Sequence, residues 1–158
     1  IDREKAIQAA SACQGLKHRF QTVATVKGVC YINDSKATNV GAAITAMQAA
    51  KSQSERVILL AGGQAKAAPL DEWVEAVNQY VSETILFGED AKLMQQALSG
   101  SAKQVDNLEA AVALASQLAQ PGDAVLLAPA AASFDQFSGY EQRGDVFIGC
   151  VNLLRASL

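Results

Sequence analysis

Val57-Ile58-Leu59-Leu60-Ala61 and Ala124-Val125-Leu126-Leu127-Ala128 are two runs in which every residue is apolar. Both have strand length. Apolar side chains at consecutive positions need burial on both faces of a sheet, which is the condition of a parallel strand covered by helices above and below. The segments around them agree. Leu70–Val81 places Leu70, Trp73, Val74, Val77 and Val81 on one helical face, and Leu108–Ala119 does the same with Leu108, Val112, Ala115 and Leu118. Between these lie a short strand at Thr84–Phe87, a helix at Ala91–Leu98 and a weak strand at Lys103–Val105. Pro121-Gly122-Asp123 is a turn leading into the second apolar run.

On the N-terminal side, Phe20–Val26 and Val29–Asn33 are β-prone runs separated by Lys27-Gly28, a hairpin signal. Val40–Ala50 follows as a helix with Val40, Ile44 and Met47 in line, so Asp34–Asn39 is a strand-to-helix loop. Residues 5–16 read as a further helix, ended by Gly15, and Glu141–Leu154 as the last, with Phe147, Val151 and Leu154 facing inward. Strands alternating with helices imply βαβ units. The expected fold is therefore an α/β three-layer sandwich, Rossmann-like in layout. Its sheet is mostly parallel, with one antiparallel edge strand supplied by the N-terminal hairpin.

Composition bounds the function. The chain has 158 residues, 50% hydrophobic and 18% charged, with a net charge of −3. That is the balance of a folded domain, large enough to need no disulfide or metal staple. Its Lys and Arg are dispersed, without the basic stripe that would mark nucleic acid as a partner. The longest apolar stretch, Ala124–Ala132, is far below the roughly 18 residues of a membrane helix. Cys13, Cys30 and Cys150 are odd in number and far apart, which suggests neither a disulfide framework nor a zinc site and fits a reducing cytoplasm. The first residue is Ile1 rather than Met, so we read the chain as a piece of a larger protein.

In an open α/β sheet, ligands bind beyond the carboxyl ends of the strands. Three loops lie there. Asn33-Asp34-Ser35-Lys36-Ala37-Thr38-Asn39 packs an acid, a base and neutral hydrogen-bonding groups just before a helix, where anions are welcome. The same residues also suit plain helix capping by Thr38 or Asn39. Gly62-Gly63-Gln64-Ala65-Lys66 offers close backbone approach and a cation at the sheet mouth, or else an ordinary glycine turn with a surface lysine. Neither GxxxxGK[ST] nor GxGxxG occurs, so no phosphate loop or dinucleotide fingerprint is present in the chain. Pro129–Gly144 is the longest loop, mixing tiny residues with aromatics and charges. Ser133 is outside any GxSxG elbow, which disfavours a hydrolase built on Ser133 and His18. Lys17-His18-Arg19 is either a solvated basic turn or a small nucleotide-binding patch with Asp34.

Taken together, Gly15-Leu16-Lys17-His18-Arg19-Phe20, Asn33–Asn39, Gly62-Gly63 with Lys66, Ser133-Phe134-Asp135-Gln136-Phe137 and Glu141–Phe147 resemble the C-terminal domain of the ATP-dependent Mur ligases of peptidoglycan synthesis. The Ser133–Phe137 and Glu141–Gly144 segments are similar to the branch that adds D-glutamate. The resemblance runs from about Gly15 to the C-terminus. It implies that residues 1–16 are the tail of the last helix of a preceding central ATPase domain plus a linker, and residues 17–158 the C-terminal domain. It further implies ATP, D-glutamate and UDP-N-acetylmuramoyl-L-alanine as partners. The N-terminal and central domains of the same polypeptide would complete the site, with the phosphate loop and the Mg2+ ligands outside this chain. A bacterial cytoplasmic monomer, inactive as an isolated piece, is expected.

By position, the resemblance gives Lys36 a catalytic place, His18, Arg19, Asn33 and Asp34 the nucleotide, and Thr38, Lys66, Ser133, Phe134 and Tyr140 the D-glutamate. Three features depart from the family pattern: Ala67-Ala68-Pro69-Leu70-Asp71 delays the acid expected after Lys66, Ala131 stands where Cys is frequent, and Tyr140 where Phe is common. A stand-alone Rossmann-like module for a small metabolite or nucleotide is the second reading, and a purely structural interaction domain the third.

Overall fold

The computed structural model describes residues 15–158. The helix expected over residues 5–16 falls almost wholly outside them, as does Cys13. Six strands form one sheet: β1 Gln21–Val26, β2 Val29–Asn33, β3 Val57–Gly62, β4 Glu83–Phe87, β5 Lys103–Gln104 and β6 Ala124–Leu127. Their order is β1-β2-β6-β3-β4-β5, with β1 antiparallel to β2 and every other pairing parallel. The expected architecture is thus observed. The hairpin turn is two residues long, with Lys27 at φ 50° and Gly28 at φ 77°. Positive φ at both central positions matches the right-handed twist of the two strands.

Side-chain direction alternates along the strands and splits the core in two. Val57, Leu59 and Ala61 of β3 and Ala124 and Leu126 of β6 face α1 (Val40–Ser52), α2 (Asp71–Tyr80) and α3 (Ala91–Ala97), where Met47, Trp73 and Met94 are fully buried. Ile58 and Leu60, Val125 and Leu127 face α4 (Leu108–Leu118) and α5 (Tyr140–Ala156), packed on Val112, Phe147 and Val151. Every residue of β3 and β6 is buried, as a strand sandwiched between helices must be. In α1 the buried face is made of Ala43, Ala46, Met47 and Ala50, so small residues bring this helix close to the sheet, while Val40 and Ile44 sit at its edge.

Two connections leave adjacent parallel strands toward opposite faces. β2 leads into α1 on one side of the sheet, and β6, its neighbour, leads into α5 on the other. Such a divergence opens a crevice at the carboxyl ends of the strands. Among the described residues no helix is long and apolar enough to cross a membrane. Cys30 and Cys150 are free thiols, half-buried, and burial pushes the pKa of each upward.

Candidate functional site

Three loops meet above β2, β6 and β3, and backbone bonds stitch them together. Asp34 N–H donates to Leu127 O at 2.8 Å, Ala130 N–H to Ala37 O at 2.9 Å and Gly62 N–H to Pro129 O at 3.0 Å. Gln64 and Ala132 form an antiparallel bridge. Gly62 and Gly63 stand at φ 125° and 128°, and a Cβ at either would overlap the backbone oxygen of Phe87 or of Ala132. Both glycines are therefore needed for close approach as well as for their dihedrals. Asn39 caps α1 by accepting from Ala42 N–H at 2.9 Å, so the capping reading holds for Asn39 and leaves Thr38 free of that task.

The nucleotide candidates form one connected group. Asn33 is 0% exposed. Its Oδ1 accepts from Ser35 N–H at 3.1 Å, and its Nδ2 donates to Gly144 O at 3.3 Å and to His18 Nδ1 at 3.0 Å. With every polar atom engaged inside the protein, Asn33 has no surface for a ligand; it holds the loop and the histidine in place. Because Nδ1 of His18 accepts, the proton sits on Nε2, which lies 3.5 Å from Asp145 Oδ1. Burial drives the His18 pKa below 6.5 against the opposing pull of Asp145. Asp34 accepts from Phe20 N–H at 3.1 Å, and burial pushes its carboxyl upward against that hydrogen bond and the Arg19 charge. Arg19 is exposed. Arg19, Asp34 and Lys36 line a groove of about 490 Å³ together with Phe20, Ala37, Ala42 and Ala46.

Lys36 is exposed, and its Nζ lies 4.3 Å above the Tyr140 ring centroid. The same ring meets His18 edge-on, with centroids 6.4 Å apart. Tyr140 thus joins the nucleotide candidates to Lys36 as well as standing among the amino-acid candidates. Thr38 is half-buried, Ser133 is 2% exposed, Lys66 is exposed, and Phe134 is 70% exposed. These four sit on the three stitched loops, but no hydrogen bond or ion pair links their side chains among the described residues. Ala65, beside Lys66, is pinned by its N–H to Asp90 Oδ2 at 2.8 Å, and Gln64 Nε2 donates to Glu89 at 2.9 Å.

Sequence reading missed Arg143, Gly144 and Asp145 as individual contributors. Arg143 is 0% exposed and ties Ser35 to Ala131. Gly144 leaves room for the His18 ring, and Asp145 pairs with Lys17 at 2.6 Å. A signal for Arg143 existed: it lies four and eight residues before Phe147 and Val151, in register with the apolar stripe of α5. Among the described residues no cluster of three His, Cys, Asp or Glu could hold a metal ion. This part of the site does not by itself fit a magnesium centre.

Residues 18–131 match the family described as Mur ligase, glutamate ligase domain. The chain is 46% identical over 151 residues to the UDP-N-acetylmuramoylalanine--D-glutamate ligase of Pseudoalteromonas translucida, covering 96% of this chain and 34% of that protein. It is 42% identical over 159 residues to the enzyme of the same name from Geobacillus sp., covering 98% and 35%. The chain thus spans about a third of the length of the curated relatives it matches. Among solved structures, E. coli FolC in complex with ADP superposes with a TM-score of 0.69 at 21% identity, covering 97% of this chain and 36% of that one. MurF ligase from Thermotoga maritima, in complex with ADP, gives 0.59 at 16%, covering 90% and 33%. At these identities the structural likeness concerns the fold.

Proposed function

The chain belongs to the Mur ligase family, as its glutamate ligase domain, and from that premise we propose that it is the C-terminal, D-glutamate-binding domain of an ATP-dependent amide ligase. The reaction joins D-glutamate to UDP-N-acetylmuramoyl-L-alanine. The carboxylate of the latter takes the γ-phosphoryl group of ATP to give an acyl phosphate, and ADP leaves. The amine of D-glutamate attacks the acyl carbon, and inorganic phosphate leaves. Residues 17–158 are the C-terminal domain in this reading, and residues 1–16 the end of the central one. The whole ligase works as a monomer in the bacterial cytoplasm.

The observation that supports the proposal is the backbone stitching, at one crevice, of the loops that carry Lys36 and Thr38, Ser133, and Lys66. D-glutamate brings two carboxylates. A cation such as Lys66, hydroxyls on Thr38 and Ser133, and backbone N–H groups are the donors such a dianion needs. Phe134, largely exposed beside Ser133, offers an apolar face to the same ligand. Arg19 and Asp34 flank a mainly apolar groove, which suits a nucleoside: the carboxylate accepts from ribose hydroxyls and the guanidinium faces phosphate. His18 and Asn33 support this edge from below. Lys36, close to both groups, stands where charge develops as phosphate is transferred and released. No proton acceptor is required of these residues; they orient the reactants and offset charge. The Mg2+ that accompanies ATP in such ligases would be held outside this chain.

The test is phosphate release from ATP that requires both D-glutamate and UDP-N-acetylmuramoyl-L-alanine, measured on the whole protein. The isolated 158-residue chain, having no GxxxxGK[ST], should release none; clear turnover by it would refute the reading. Lys66→Ala should raise the D-glutamate KM by about ten- to a hundredfold, the range of one charge-assisted hydrogen bond. An unchanged KM removes Lys66 from the pocket. Tight ADP binding by the isolated chain would instead favour a self-sufficient nucleotide module.

A further inference from the structure

Arg143 sits in the first turns of α5 with no exposed surface, and among the described residues no carboxylate pairs with it. Its guanidinium donates from Nε to Ser35 Oγ at 3.0 Å, from Nη2 to Ser35 O at 2.8 Å and from Nη1 to Ala131 O at 3.0 Å. All three acceptors are neutral. Burial pulls its pKa down to about 10, against the opposing effect of Asp135, so it stays charged at neutral pH. A buried charge held only by neutral acceptors is costly, and an apolar residue in register with Phe147 and Val151 would fill the space at less expense. A guanidinium does one thing an apolar side chain cannot: its planar fork spans two acceptor groups at a set distance. Here those groups belong to the loop that carries Lys36 and Thr38 and to the loop that carries Ser133. Ser35 Oγ also donates to Tyr140 O at 2.7 Å, which adds the start of α5 to the same clamp.

Resting on the ligase reading above, we infer that Arg143 is a positioning residue for the D-glutamate step, setting the spacing between the Lys36–Thr38 loop and the Ser133 loop. It touches no substrate and acts through Ser35 and Ala131. Loss of the fork lets the two loops drift apart, and a drift of this kind is felt by a ligand that must be held from both sides.

The experiment is Arg143→Lys in the full-length ligase, which keeps the charge and discards the fork, beside Ser35→Ala, which removes one of the three acceptors. For Arg143→Lys, kcat/KM for D-glutamate should fall by about ten- to a hundredfold, carried mainly by KM, the range for a misplaced reactant. The KM for the UDP substrate should stay within about twofold of wild type. Ser35→Ala should fall between, and the double variant should lose less than the product of the singles. Hydrogen exchange should quicken in residues 34–39 and 129–136 while β3 and β4 keep their protection. Overturning results are a drop in kcat with every KM unchanged, which marks a lower folded fraction, or unaltered exchange in both loops. If wild-type protein shows no D-glutamate-dependent phosphate release, the ligase reading fails, and the exchange experiment still decides whether Arg143 clamps the loops.

Discussion

Gly144→Ala offers a test in which local and tertiary arguments give opposite signs. Gly144 lies inside α5, where alanine is favoured over glycine by about 1 kcal/mol. Its φ is not in the left-handed region, so no backbone reason excludes alanine. The obstacle is the His18 imidazole: a Cβ on residue 144 would overlap Nδ1, Cε1 and Cγ of that ring. The ring is 4% exposed and bonded to Asn33, so it has little room to yield. Forcing atoms into a packed site costs about 1–3 kcal/mol. Displacing the ring also takes an acceptor from Asn33 Nδ2, worth about 1 kcal/mol. Setting the helical gain against these losses leaves a net destabilisation of about 1–3 kcal/mol. For a chain of this size that is a fall in Tm of roughly 2–12 °C, at about 2–4 °C per kcal/mol. Thermal and urea unfolding of the 158-residue chain would measure it. The decisive comparison is the His18→Ala background. With the ring gone, the same Gly144→Ala change should become neutral or stabilising by up to about 1 kcal/mol. A rise in Tm for Gly144→Ala alone, or an equal fall in both backgrounds, would refute the steric account.

Acid should weaken the fold through His18. Its pKa is lowered on folding, chiefly by burial, so the neutral ring favours the native state. That contribution is complete above about 6.5 and is lost as pH falls through the lower native value, at no more than about 1.4 kcal/mol per pH unit. Asp145 and Glu141 oppose the shift and Lys17 adds to it; His18→Asn should flatten the stability profile between pH 5 and 7, read from urea midpoints. At the opposite end of the sheet, Asp123 is 2% exposed and accepts from Arg56 Nη2 at 2.7 Å and from Gln120 N–H at 2.8 Å. Asp123→Ala should cost about 2–3 kcal/mol in urea unfolding, less than a fully buried pair because Arg56 is partly exposed. The folded variant should keep wild-type KM values, because this pair lies far from the crevice.

Much of this protein is legible along the chain. The continuous apolar runs at Val57–Ala61 and Ala124–Ala128 announce buried parallel strands because burial on two faces leaves no position for a polar residue. Lys27-Gly28 between β-prone runs announces the hairpin, since two residues with positive φ suffice to reverse a twisted strand. The loops after the strands could be named as candidate sites for the same reason: a parallel sheet has one end where ligands can reach it. What could not be read was who supports whom. Asn33 looked like a ligand contact, because an amide in a polar loop is equally suited to face solvent or core, and only the fold brings His18 and Gly144 to its Nδ2. Arg143 was visible as a charge on an apolar stripe, yet its partners are 108 and 12 residues away, at Ser35 and Ala131. The space that Gly144 leaves is filled by the ring of His18, 126 positions earlier in the chain, which no local pattern reveals. Periodicity and turn chemistry act between near neighbours, so the sequence by itself determined the elements and the end of the sheet where chemistry can occur. Satisfying buried donors, acceptors and charge is a contest among groups distant in the chain, and only the tertiary structure decided it.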